Sequence, residues 1–384
     1  MASFAGFIIL RWKMWKNNKT PNKTPLEEAR ETINRVDREM AELFEERMDA
    51  VRWVADYKIK NGLQVLDPER EKQVIERNSA LIDNDEYRSY YISFLNETMA
   101  ISRKFQHRLM EGSRIAYSGV PGAFAHIASS RIFPDSVCVP YGNFKAAYDS
   151  VLASDCDCAV LPIENSVNGD VTQVMDMAYS GNLYISGVYE LGVEHCLLVL
   201  PGASMDDIKT VISHEQALGQ CSAYLSKTNW TQKTAVNTAI AAKEAAEAGD
   251  PSVAVIASEE TAQLYGLRVL ERKINEGVQN ITRFAVFTRE PVAPSPSNNR
   301  FIMFFTVKNE AGSLMHAVEA FGKNGFNLRA LKSRPTKETN WEYYFYVEGE
   351  GTIADKSGRR MLEDLEEVCG KIKIIASFDR DISL

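Results

Sequence analysis

Cysteine and histidine are sparse in this chain, six and five of 384 residues, and neither is clustered. Cys138, Cys156, Cys158, Cys196, Cys221 and Cys369 form no CxxC pair and have no histidine at metal-binding spacing, which excludes a zinc site and predicts no metal. Scattered thiols of this kind are expected to stay reduced, in the cytoplasm. Basic runs are missing too. With 44 Lys and Arg against 52 Asp and Glu, the net charge is -8 and the pI about 5.4, which speaks against a nucleic-acid partner. An anionic ligand is then expected to be caught by local cations. Long apolar runs are absent as well: residues 4–10 are apolar, but about seven residues cannot span a bilayer. Arg11, Lys13 and Lys16 follow that run and no small-residue cleavage site appears, so neither a secretory signal nor a membrane partner is expected. Residues 1–25, rich in Asn, Lys, Thr and Pro towards their end, are expected to be a disordered extension.

What is present divides into three textures. Residues 26–60 contain no Gly or Pro and keep helical periodicity, which predicts a helix of about 50 Å, too long for one small domain to cover. Its stripe runs through Ala29, Ile33, Val36, Met40 and Leu43, then Arg47, Val51, Val54 and Lys58. Two cations on an apolar stripe are costly if buried without an anion; snorkelling of their heads to water is the alternative. A second helix opens at Asp67-Pro68-Glu69-Arg70-Glu71, with Pro and acids in its first turn. A third covers 85–110, and its apolar stripe is broken by Ser102 and Gln106, one turn apart. Polar groups on inward faces of three helices predict a helical dimer with ligand sites inside, domain 26–110.

From 113 to 290, short β runs (114–117, 158–162, 193–200, 210–212, 253–256 and 284–288) alternate with helical segments, as in an α/β domain. Residues 291–298, with three prolines and two serines in Pro291-Val292-Ala293-Pro294-Ser295-Pro296-Ser297, read as a linker. Residues 299–384 then give strand 301–307, helix 312–323, strands 328–333 and 341–347, helix 357–369 and strand 372–378. That order, βαββαβ, is α+β and ferredoxin-like.

Arg30, Arg47, Lys58 and Arg70, with Asp67, Glu71, Ser102 and Gln106, could surround one small dianion, since Arg suits bidentate carboxylate capture. At these spacings residues 26–110 resemble the all-helical chorismate mutase family, in which three helices per chain exchange across a dimer. The resemblance implies that Arg30, from the partner chain, and Arg47 hold the two carboxylates of chorismate. Lys58 and Gln106 would hydrogen-bond the ether oxygen whose bond breaks. Glu71 and Asp67 would address the ring hydroxyl region, Arg70 orient the acids, and Ser102 line the pocket. A pericyclic rearrangement needs no nucleophile, only a fixed conformer and stabilised charge on that oxygen.

Thr282-Arg283-Phe284, within Gln279-Asn280-Ile281-Thr282-Arg283-Phe284, sets a hydroxyl beside a guanidinium; a structural loop Thr beside a surface Arg is the bland alternative. Three stretches precede it in order: Tyr117-Ser118-Gly119-Val120-Pro121-Gly122-Ala123-Phe124-Ala125-His126, Leu161-Pro162-Ile163-Glu164-Asn165-Ser166-Val167-Asn168-Gly169 and Ser213-His214-Glu215-Gln216-Ala217-Leu218-Gly219-Gln220-Cys221. Together they resemble prephenate dehydratase, a two-lobed, periplasmic-binding-protein-like α/β fold with its site between the lobes. The resemblance implies that Thr282 gives a proton to the departing ring hydroxyl as carbon dioxide leaves, with Arg283 orienting Thr282 or the substrate. Glu164, Asn165, Ser166, Ser213, Gln220 and Phe284 are the implied substrate contacts. His126 and His214 are expected to be structural hydrogen-bonders rather than acid/base groups. Glu215, Gly219, Asn237 and Glu276-Gly277 depart from the family's usual residues.

Residues 299–384 resemble ACT amino-acid-sensing domains attached to this dehydratase, on Ala311-Gly312-Ser313-Leu314 and Ser333-Arg334-Pro335. The implied effector is phenylalanine, held by Gly312, Leu314, Asn327, Ser333 and Arg334. Ser313 stands for the usual Ala, and Lys332 for the acid that ordinarily precedes Ser-Arg-Pro. The chain is thus expected to be a bifunctional enzyme of phenylalanine synthesis acting on chorismate and prephenate, without cofactor, as a homodimer or homotetramer. Arogenate as substrate and a non-catalytic ligand-sensing protein are the rivals.

Overall fold

The computed structural model describes residues 24–275, 280–291, 293–336 and 342–384. Residues 1–23 of the expected extension, Gln279 and Glu276-Gly277, Val292 of the linker and Trp341 of an expected strand lie outside the described residues. The chain divides after Met110 into two compact units.

The first unit is all helix: α1 (Pro25–Asn61), α2 (Pro68–Ser79) and α3 (Asp85–Glu111). Thr24 and Pro25 belong to the start of α1 rather than to an extension. Thr24 Oγ1 accepts from Glu27 N at 3.3 Å while Glu27 returns its carboxylate to Thr24 N at 2.7 Å, a capping box with Pro25 in the first turn. Gly62, at φ 62°, closes α1 in the left-handed conformation that residues with a Cβ avoid. Asp67 caps α2 by accepting from Arg70 N at 3.0 Å. Few side chains are buried here: Ala55, Val65, Leu95 and Met99, with the polar Ser102 and Gln106. The apolar stripe of α1 is left bare, with Ile33 58% and Leu43 63% exposed. Such a face is normally covered by another protein surface.

The second unit begins with β1 (Arg114–Ser118), α4 (Phe124–Ile132), β2 (Val137–Tyr141), α5 (Phe144–Leu152), β3 (Cys158–Asn165), β4 (Gly169–Asp170), α6 (Thr172–Ser180) and β5 (Tyr184–Gly192). The chain crosses to a second lobe made of β6 (Cys196–Val199), β7 (Thr210–Ser213), α7 (Glu215–Gln220), α8 (Ser222–Leu225), β8 (Thr231–Thr234), α9 (Thr238–Ala248), β9 (Val253–Ala257), α10 (Glu259–Tyr265) and β10 (Arg268–Glu271). It returns as β11 (Ile281–Thr288), then runs through β12 (Arg300–Val307), α11 (Ser313–Lys323), β13 (Asn327–Pro335), β14 (Tyr343–Glu350), α12 (Lys356–Val368), β15 (Cys369–Phe378) and β16 (Ile382–Ser383).

The second lobe is one sheet, ordered β10-β6-β9-β7-β8. The first lobe and the C-terminal βαββαβ segment share another, ordered β13-β14-β12-β15-β5-β11-β3-β1-β2. They join where β15 pairs in parallel with β5 at Ala376 and Ile185, and one core holds Phe287 of β11 with Phe304, Tyr344 and Phe378. β8 (Thr-Gln-Lys-Thr) is exposed along its whole length and is held by parallel pairing to β7, which explains why no apolar pattern announces it. No helix among the described residues is long and apolar enough to cross a membrane.

Candidate active site

β11 enters the first lobe between β3 and β5, placing Thr282 opposite Asn165 on one side and Leu191 on the other. Asn165 Oδ1 accepts from the backbone N–H groups of Val167 at 3.0 Å and Asn168 at 2.9 Å, which fixes which end of the amide is oxygen. Its Nδ2 donates to Thr282 Oγ1 at 2.9 Å and to Asn280 Oδ1 at 2.7 Å. Beyond Asn280, its own Nδ2 lies 2.9 Å from Gln220 Oε1, and His195 Nε2 lies 2.8 Å from the same oxygen. Residues from both lobes are thereby linked in one hydrogen-bonded row.

The row forms a wall of a cleft of about 620 Å³. No Lys or Arg lines it among the described residues, so for this cleft the expectation that cations catch an anionic ligand is corrected. What opens onto it are helix starts: Ala123 before α4, Val171 before α6 and Asn237 before α9 all line the cleft. Ala123 and Val171 give no side-chain cap, leaving first-turn N–H groups to a ligand, and the partial positive charge of each N-terminus favours an anion by about 0.3–1 kcal/mol. Asp170 is the one carboxylate among the described lining residues.

Alternation along β11 sends Arg283 to the other side of the sheet from Thr282, so the expected support of the hydroxyl or substrate by this guanidinium is corrected. It pairs with Glu164 at 2.9 Å, Glu348 at 2.8 Å and Asp381 at 3.1 Å. Burial works against the Arg283 charge, but Glu348 and Asp381 hold its pKa above the ordinary value. Glu164, expected in the pocket, faces the same way: Lys332 reaches it at 3.0 Å and also grips Asp170. Burial acts to raise the Glu164 pKa, yet Lys332 and Arg283 hold it below the ordinary value. Three further expected contacts are absent from the cleft lining. Phe284 is 2% exposed and packs with Ile115, Tyr117 and Leu191 in the core behind Thr282. Ser213 is fully buried and donates to Ile256 O at 2.6 Å. Ser166 Oγ accepts from Ile281 N at 2.9 Å, closing the end of the ladder.

Both singled-out histidines serve local structure. His126 Nδ1 accepts from Gly122 N at 3.1 Å, and His214 Nδ1 accepts from Gln216 N at 3.2 Å as the cap of α7. His195, Asn280 and Asn237 were not singled out as functional in the sequence, although Asn280 stands two residues before Thr282.

In the first unit the structure brings Arg47, Ser102 and Gln106 together. Arg47 donates to Ser102 Oγ, and Gln106 Nε2 donates to Ser102 O at 3.3 Å, leaving Gln106 Oε1 buried without a partner. Burial pulls the Arg47 pKa down, and no carboxylate pairs with it among the described residues. Lys58 donates to Val65 O. Glu71 is engaged by Arg103, a residue the sequence pattern did not mark. Asp67 is spent on capping α2, and Arg70 is exposed. Arg30 is exposed and lies about 25 Å along α1 from Arg47, beyond reach of the same ligand within one chain.

Of the expected effector contacts, Gly312 caps α11 at φ 88° and Leu314 packs on the C-terminal core. Asn327 donates to Glu350 at 2.9 Å and Ser333 is exposed. Arg334 faces inward instead, clamping Asp176 of α6 at 2.8 Å together with the Tyr344 hydroxyl at 2.6 Å.

Residues 115–292 match the prephenate dehydratase family and residues 29–107 match chorismate mutase type II. Arogenate dehydratase/prephenate dehydratase 2 of Arabidopsis thaliana is 33% identical over 297 residues, 74% of this chain and 77% of that protein. A bifunctional chorismate mutase/prephenate dehydratase of Buchnera aphidicola subsp. Schizaphis graminum is 28% identical over 374 residues, 93% and 97% of the two chains. Among solved structures, the prephenate dehydratase of Arthrobacter aurescens in complex with L-Phe superposes with a TM-score of 0.65 at 26% identity, covering 70% of this chain and 90% of that one.

Proposed function

The chain belongs to the prephenate dehydratase family and carries a type II chorismate mutase domain ahead of it, and on that premise we propose how this bifunctional enzyme of phenylalanine biosynthesis divides its chemistry among its residues. Chorismate is rearranged to prephenate in the helical unit; prephenate is dehydrated and decarboxylated to phenylpyruvate in the cleft. The observation that carries the cleft reading is the 2.9 Å contact from Asn165 Nδ2 to Thr282 Oγ1, with Asn165 held by two backbone donors. Thr282 must accept there, so its own hydrogen is left for the substrate. As the ring carboxylate leaves as carbon dioxide, the bonding pair moves through the ring and the C–O bond breaks. Thr282 donates to that oxygen as it departs as water and takes a proton back from solvent, so that one proton is consumed per turnover. The substrate carboxylates are met by the uncapped starts of α4 and α6 rather than by cations.

In the helical unit, Arg47 takes a carboxylate and Lys58 with Gln106 faces the ether oxygen; the burial cost of Arg47 without an anion supports this assignment. The bare stripe of α1 and the distance of Arg30 support a homodimer in which the partner's α1 completes the site.

For substrate choice, Lys332 neutralises Asp170, the one carboxylate on the described cleft wall, which leaves no acid for the ammonium of arogenate and favours prephenate. Lys332→Met is expected to raise the arogenate-to-prephenate ratio of kcat/KM about tenfold, and the added Asp170→Asn to cancel the rise. An unchanged ratio in the single variant removes Lys332 from specificity.

The C-terminal segment is read as an ACT domain that senses phenylalanine, on its strand order β15-β12-β14-β13 and the glycine start of α11. One assay tests the whole reading: chorismate is supplied, prephenate and phenylpyruvate are followed, and phenylalanine is added. Both products should form and millimolar phenylalanine should suppress the second; prephenate accumulating alone, without phenylalanine, would overturn the dehydratase assignment.

A further inference from the structure

Direction along the hydrogen-bonded row follows from its anchored end. Asn165 spends its oxygen on the Val167 and Asn168 backbone, so its nitrogen faces both Asn280 and Thr282. Asn280 must answer with its oxygen, since two amide nitrogens facing each other repel, and its nitrogen is then turned to Gln220. Gln220 presents Oε1 in turn. His195 Nε2, at 2.8 Å from that oxygen, must therefore carry the hydrogen. The remaining ring nitrogen, Nδ1, is buried and has no partner. A bare lone pair tolerates that position better than an N–H would, so the same tautomer is demanded from the other end. His195 is 2% exposed, and burial lowers its pKa against the opposing hydrogen bond to Gln220, which keeps the ring neutral near pH 7.

Resting on the dehydratase reading above, we propose that His195 and Asn280 are positioning residues that fix the direction of this row and so aim two donors at the substrate, the Thr282 hydroxyl and the Gln220 side-chain amide. Gln220 lines the cleft with its oxygen turned to His195 and Asn280, and among the described residues no protein group accepts from its Nε2. The arrangement makes the wall donor-rich without any cation, which matches a dianionic substrate. It also ties the lobes. His195 sits in the crossing between β5 and β6, Gln220 ends α7 in the second lobe, and Asn280 precedes β11 in the first. Neither His195 nor Asn280 donates to the reacting oxygen in this scheme; each acts through Gln220 or Asn165.

The test joins spectroscopy to kinetics on the full chain. In protein with nitrogen-15-labelled histidine, the ring signals that vanish in His195→Gln should report hydrogen on Nε2 and a bare Nδ1; hydrogen on Nδ1, or on both nitrogens at pH 7, would overturn the proposal. His195→Gln keeps an N–H near the Nε2 position and should hold kcat on prephenate within about threefold, whereas His195→Leu should lower it about tenfold to a hundredfold. Asn280→Asp, which has no donor for Gln220, should fall by a similar factor, with an unchanged thermal unfolding transition of the second unit in all three variants as the check on folding. Equal losses in the Gln and Leu variants would mean that packing rather than the hydrogen matters, and the proposal fails. Should the wild type make no phenylpyruvate, the reaction reading is lost while the tautomer spectrum still decides the direction of the row.

Discussion

Thr282→Val is expected to lower phenylpyruvate formation from prephenate by about a hundredfold to ten-thousandfold, the range for losing a positioned proton donor. The substitution keeps the branched shape that suits β11 and removes only the hydroxyl. Asn165 then loses one of its acceptors but keeps Asn280 Oδ1, so the cost to stability should be about 1 kcal/mol. That is too small to unfold a domain, and mutase activity in the separate helical unit should be untouched. Thr282→Ser restores a hydroxyl at the same place and should recover much of the rate. A Val variant that still forms phenylpyruvate within about threefold of wild type, in a steady-state assay, would remove Thr282 from the chemistry.

Much of this site was legible in the sequence because motifs name residues, whereas the direction of a side chain depends on the strand that carries it. Thr282, Asn165 and Gln220 were marked and do meet. Arg283 was marked as their companion, yet a single step along β11 turns it to the opposite face. Glu164, neighbour of Asn165 on β3, follows the same alternation. Lys332 stood out only as a departure from pattern; its bond to Asp170 brings a C-terminal strand to the cleft wall across more than 160 positions of sequence, which no local pattern reports. His195 carries no sequence signal for function, since a lone histidine beside a buried strand is ordinarily a packing residue. Its importance comes from what faces it.

Electrostatics were the least legible feature. A net acidic chain with scattered cations suggested that Lys or Arg would line the substrate site. The cleft instead collects helix starts and amide donors, whose positive ends are invisible to a count of charged residues. The cations near the dehydratase motifs are used elsewhere: Arg283, Arg300, Lys332 and Arg334 bind carboxylates where the first lobe meets the C-terminal segment. Such paired groups hold two surfaces in register, and removing one partner strands the other in a partly buried place.

Arg47→Ala and Arg30→Ala, each alone, are expected to reduce chorismate mutase turnover by at least about a hundredfold, yet to restore activity when the two inactive proteins are unfolded together and refolded as a mixture. The stripe of α1 is bare in one chain, and Arg30 and Arg47 stand about 25 Å apart on the same rod. If a second copy covers that stripe with twofold symmetry, each site takes Arg47 from one chain and Arg30 from the other. In a mixed dimer both changes then fall in one site, and the second site is wild type. Random pairing makes about half of the dimers mixed, each with one working site of two, so the mixture should regain about a quarter of wild-type turnover. Lys58→Ala should behave as Arg47→Ala does, regaining activity with Arg30→Ala but not with Arg47→Ala, because Lys58 and Arg47 belong to the same chain's half of the site. Recovery in that last pairing would place the two cations in different half-sites. No recovery in any mixture, with light scattering showing monomers, would return both cations to the snorkelling alternative and leave the stripe of α1 for some other partner.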